Sequence, residues 1–121
     1  MLELFCWSSR LDLMPADPDF DRKCRQLRAA AHTAPSNALA GFIRELSEKF
    51  PAACHEGPDG CEPVWEAPPE ASVKGPGGDF VALRVRPDHY RRVLVYLLDA
   101  AARHRVDCYD DGSEIFFPAE D

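Results

Sequence analysis

An α+β fold is predicted for this chain of 121 residues by three patterns in the stretch from Gly78 to Pro118. In Asp79-Phe80-Val81-Ala82-Leu83-Arg84-Val85-Arg86, Phe80, Ala82 and Arg84 alternate with Val81, Leu83 and Val85, which is the period of a strand. Beyond Pro87, with Asp88 as a capping residue, Tyr90, Val93, Leu94, Leu97, Leu98 and Ala101 recur at three- and four-residue steps and predict a helix to about His104. Val106 to Tyr109 then reads as a strand, Asp110-Asp111-Gly112-Ser113 as a tight turn, and Glu114 to Phe117 as a last strand closed by Pro118.

The earlier elements follow the same logic. Leu2, Leu4 and Cys6 alternate with Glu3, Phe5 and Trp7; both sets are partly apolar, so this is an inner strand with both faces covered. Asp17-Pro18 starts a helix whose apolar stripe is Phe20, Cys24, Leu27 and Ala31, with Arg22, Lys23, Arg25 and Arg28 on its remaining surface. Thr33 to Ser36 breaks it. Ser36 caps a second helix that shares Leu39, Phe42, Ile43, Leu46 and Phe50 along one side, and Pro51 ends that helix. The short connection predicts that the two helices pack together on one side of the sheet. Residues 52–78 are rich in Pro, Gly and acids and read mostly as loop, with short strand pieces around Trp65 and at Ala71 to Val73, the latter forming a hairpin with the strand from Asp79 across Lys74-Gly75-Pro76-Gly77-Gly78. Without the extra helix and the last strand the order is βαββαβ, the split unit of a ferredoxin-like antiparallel sheet with helices on one face. One domain over residues 1–121 is expected.

Composition narrows the function. With 45% hydrophobic and 29% charged residues the chain is globular. Neither a basic start with a long apolar run nor any run near the roughly 20 residues of a membrane helix is present, so a cytoplasmic location is expected. The net charge of −7 comes from two segments. Between Lys49 and Lys74 stand Glu56, Asp59, Glu62, Glu66 and Glu70; after Arg105 stand Asp107, Asp110, Asp111, Glu114, Glu120 and Asp121, and neither segment holds a Lys or Arg. Such segments repel nucleic acid and anionic membrane and favour a basic protein partner, or serve only solubility.

Each chemical reading competes with a plainer one. Cys54-His55 and Cys61 lack the short paired spacing of zinc ligands, and no metal or cofactor is expected. A Cys-His nucleophile drawn from any of the five cysteines and His32, His55, His89 or His104 requires contact in space and a third, orienting group. The glycine-rich Lys74 to Gly78 leads into a strand, whereas a phosphate loop leads into a helix, so it reads as a turn. Asp110-Asp111 before Gly112 are turn formers more than cation ligands. Cys6, Cys24 and Cys108 fall within helix or strand patterns as small buried residues, and an odd number of cysteines argues against a disulfide framework. Trp65, flanked by Glu62 and Glu66, reads either as an exposed anchor for a basic partner or as a ring folded back onto the core.

The strand Gly78 to Val85, the helix end Ala100-Ala101-Ala102-Arg103-His104-Arg105, and Val106 to Gly112 before Ile115 and Pro118 resemble the small acidic immunity proteins of bacterial polymorphic and contact-dependent toxin systems. The resemblance implies a non-enzymatic cytoplasmic antidote, part of a toxin-antitoxin-like pair in bacterial competition, that covers the active site of a cognate toxin with a basic cleft. The acidic residues Glu56, Asp59, Glu62, Glu66, Asp110, Asp111 and Glu114, with Trp65, are the expected partner-binding set. The alternatives are a small ligand-binding domain or enzyme with a cleft between sheet and loop, and an adaptor that self-associates through an uncovered sheet face.

Overall fold

The computed structural model describes residues 2–11, 13–50, 65 and 69–118. Among these residues five strands form one open antiparallel sheet: β1 (Leu2–Ser8), β2 (Val73–Lys74), β3 (Phe80–Val85), β4 (Val106–Asp110) and β5 (Ile115–Phe117), in the spatial order β2-β3-β1-β4-β5. Three helices accompany it: α1 (Phe20–Ala29), α2 (Asn37–Lys49) and α3 (Tyr90–His104). None of the described helices is long and apolar enough to cross a membrane.

β1 is the inner strand that its double alternation predicts. It pairs with β3 from Leu2↔Val85 to Trp7↔Phe80, and with β4 from Leu4↔Asp110 to Ser8↔Val106. Its two side-chain sets feed two cores. Leu4 and Cys6 point, with Val81, Leu83, Val85, Val106 and Cys108, into a cluster closed by Leu39, Phe42, Ile43 and Leu46 of α2 and Val93, Leu97, Ala100 and Ala101 of α3. Phe5 and Trp7 point the other way and pack, with Phe80, Ala82 and Tyr109, against Leu13 and the Phe20 and Cys24 of α1.

This corrects the expectation that all helices share one face. α2 and α3 cover one side and α1 the other, because a sheet with Phe5, Trp7, Phe80 and Tyr109 on its second face exposes that apolar area unless something covers it. Phe20 seals the fit, edge-on to Tyr109 at 4.8 Å between ring centres.

Local chemistry sets the ends. The Ser36 hydroxyl accepts from the Leu39 amide at the start of α2. α3 ends at Arg105, whose φ of 55° is left-handed, and the Arg105 carbonyl accepts from the amide and hydroxyl of Ser9. The β2–β3 connection is a turn, as its glycines suggest. Gly78 has φ +68° and lies so close to the preceding helix connection that a Cβ there would meet the Ala34 carbonyl oxygen at 1.9 Å.

Candidate acidic face at the start of the central strand

Register places Trp65 and the turn from Asp110 to Glu114 at one end of the sheet. β1 begins beside Val85 on one side and Asp110 on the other, and the Asp111 amide donates to the Glu3 carbonyl at 3.4 Å. Trp65 is attached at that same end through a bridge to Val85. The Trp65 column and β4 are three strand spacings apart, about 14 Å.

Asp110 is the corner post of this end. One carboxylate oxygen accepts from the Gly112 amide at 2.9 Å and the Ser113 amide at 3.3 Å, and the other accepts from the Tyr90 hydroxyl. The residue is 5% exposed. Burial pushes its carboxyl up, but the bonds from Tyr90, Ser113 and Gly112 outweigh burial and hold its pKa below the ordinary value. Tyr90 responds in the opposite direction, raised by burial and then by the carboxylate it serves. Asp110 is therefore a turn-forming and core-facing group: three of the roughly four acceptor positions of its carboxylate are engaged within the chain, and it offers a partner little surface.

Asp111 and Glu114 are exposed on the turn that Asp110 holds. Glu114 takes φ 55°, so the turn spends left-handed backbone on a residue without glycine's freedom. Across from them lies α1, and between turn and helix runs a cleft of about 350 Å³. Its floor is Phe5, Phe20 and Cys24; its rim carries Asp21, Asp111 and Glu114 together with Arg25 and Arg28. The carboxylates act as a group. Burial, assisted by Asp111 and Asp21, pushes the Cys24 thiol up to about 12, and burial with Glu114, Asp111 and Asp21 raises the Tyr109 phenol.

Glu3 closes the neighbouring surface. Its carboxylate lies 3.2 Å from Arg28 Nε and 3.5 Å from Arg84 Nε, so it neutralises part of the positive charge beside the acidic rim.

Trp65 takes the inward of its two readings. It is 2% exposed, its indole N–H donates to the Phe50 carbonyl at 2.7 Å, and its ring meets Phe50 edge-on. It pins the chain to the core and is not an exposed anchor. Glu56, Asp59, Glu62 and Glu66, like the Cys54-His55-Cys61 group, lie outside the described residues.

The described histidines engage groups other than cysteine. His32 Nδ1 lies 3.1 Å from the Val73 carbonyl, His89 Nδ1 3.2 Å from the Arg92 guanidinium, and His104 3.8 Å from Glu45. Among the described residues no group of three or more His, Cys, Asp or Glu is placed to hold a metal ion.

Two contributors to this face escaped the sequence reading. Asp21 was hidden in a helix surface that looked basic, and Tyr90 looked like one more apolar helix position. Only the placement of α1 across the sheet from α3 reveals both roles. Compared with protein-family models, with curated proteins and with solved structures, the chain matches none of them.

Proposed function

We propose that this chain is a cytoplasmic immunity protein that binds a cognate bacterial toxin and occludes its active site with acidic side chains. The observation that carries the reading is the grouping of Asp21, Asp111 and Glu114 around one cleft, the latter two on a turn held at the same end of the sheet as Trp65 and about three strand spacings from it. One partner surface of ordinary size, about 1,200–2,000 Å² in total, spans that distance easily. Asp21, Asp111 and Glu114 replace Asp110 and Trp65 as the direct contacts, and a toxin with a basic cleft is their electrostatic complement. The βαββαβ order with β4-β1-β3-β2 adjacency supports a ferredoxin-like core to which α1 and β5 are additions. A rigid sheet end is well suited to presenting charge, since binding then costs little ordering.

The experiment is co-expression with the product of the adjacent gene, scored by survival, followed by association kinetics of the purified pair at low and high salt. Rescue by the native chain, with about tenfold slower association and a flatter salt dependence for Asp111→Lys/Glu114→Lys, supports the proposal. No rescue by the native chain, or equal rates for the two chains at low salt, refutes it.

A further inference from the structure

Cys6 and Cys108 stand directly opposite one another on β1 and β4, with their sulfurs 3.4 Å apart. Directly opposed residues of antiparallel strands have Cα atoms about 4.5–5.5 Å apart, inside the 4.4–6.8 Å range of disulfides. Only a small side-chain movement separates the thiol contact from a bond. Both residues are fully buried and both are free thiols. Nothing in the acidic face uses them; they lie beneath α2 and α3 on the other side of the sheet.

We propose that Cys6 and Cys108 form a site of oxidative modification, at which a low-molecular-weight disulfide such as oxidised glutathione converts the pair into a cross-strand disulfide. One protein thiolate attacks the small disulfide, forming a mixed disulfide and releasing one small thiolate. The second protein thiolate then attacks the protein sulfur and releases the other. Two protein thiols and one small disulfide become one protein disulfide and two small thiols, with both protons passing to the released thiols.

The burial that brings the sulfurs together also restrains them. Burial raises Cys6 well above an ordinary thiol, and its neighbour's sulfur adds to the effect, so the closed sheet holds little thiolate. Reaction therefore starts when β4 parts from β1. Among the described residues β4 is backed on its outer side by the three residues of β5, and Ile115 of that strand is 48% exposed. Opening of this edge presents one thiol, and reclosing delivers it to the other. The resulting link closes a loop spanning 102 positions, among the longest the chain allows, and fixes the strand leading into the Asp110 turn to the central strand.

The test starts from the fully reduced chain, incubated with oxidised glutathione in native buffer, in sub-denaturing urea and in concentrated guanidinium. Each sample is acid-quenched, alkylated and digested for mass spectrometry. The expected result is a Cys6–Cys108 cross-linked peptide at least fivefold above any other pairing in native buffer, forming faster in mild urea and losing its dominance in guanidinium. The oxidised chain melts about 10–20 °C above the reduced one. Cys6→Ser and Cys108→Ser each give a glutathione adduct in place of the link; Cys6→Ala and Cys108→Ala keep the comparison open if a serine disrupts the core. Complete alkylation of all thiols after mild urea, a native pairing pattern equal to that in guanidinium, or an unchanged melting temperature overturns the proposal.

Discussion

Tyr90→Phe tests how the acidic turn is held. The substitution keeps the ring and removes the hydroxyl that donates to Asp110, leaving one oxygen of a buried carboxylate without its partner. A hydrogen bond to a charged group contributes about 1.5–3 kcal/mol, so Tyr90→Phe is expected to lose about 2 kcal/mol at neutral pH. For a chain of this size that lowers the melting temperature by about 6–10 °C. The pH dependence identifies the carboxylate as the cause. The folded pKa of Asp110 is depressed, so its stabilisation is complete above the unfolded carboxyl value of about 3.9 and is lost as pH falls through the folded value. The gap between native and Tyr90→Phe chains is therefore widest at pH 7 and narrows below about pH 4. Urea titrations of both chains across that range, with Asp110→Asn completing a double-mutant cycle, measure it. A gap below 0.5 kcal/mol at pH 7, a threshold of about the usual spread for surface changes, or a gap that stays flat into acid, refutes the reasoning.

Three further outcomes follow from backbone and core geometry. Gly78→Ala adds a left-handed penalty of about 1–2 kcal/mol to a clash with the Ala34 carbonyl, whereas Gly77→Ala at φ +69°, with Asp79 Oδ2 at 3.5 Å as its nearest neighbour among the described residues, carries the penalty without a clash; thermal melts of the two variants separate strain from clash. Arg105→Gly relieves left-handed backbone at the end of α3 and is expected to stabilise by about 1 kcal/mol in urea titration, since the chain's contacts there with Ser9 are made by the carbonyl. Trp65→Ala empties a buried site and removes the N–H bonded to Phe50, and a loss of about 3–5 kcal/mol is expected by the same method.

Much of the fold was legible because its signals are local. The Ser36 cap, the stripe from Tyr90 to Ala101 and the alternation of Phe80 to Val85 each act within one element, and α2, α3 and β3 appear where those patterns predict. The double alternation of Leu4 and Cys6 against Phe5 and Trp7 even announced a sheet covered twice. Which helix covers which face was not legible, because the amphipathic stripes of α1 and α2 are interchangeable until the chain path is known. The same limit applies to the site. Asp110 and Asp111 are identical neighbours in sequence, yet strand alternation turns one towards Tyr90 and leaves the other exposed. The juxtaposition of Cys6 with Cys108 depends wholly on register between distant strands.

The central place of β1 has a consequence for biosynthesis. Its partners β3 and β4 are made much later, and Cys6 faces a residue 102 positions downstream. At about 5–20 residues per second the ribosome needs roughly 5–20 s to supply that distance. Until β3 is made, which takes most of that interval, an apolar strand with two sticky faces lacks both of its sheet neighbours, so a nascent-chain binder, or quick burial against α1 and α2, decides how much of each batch reaches the native state.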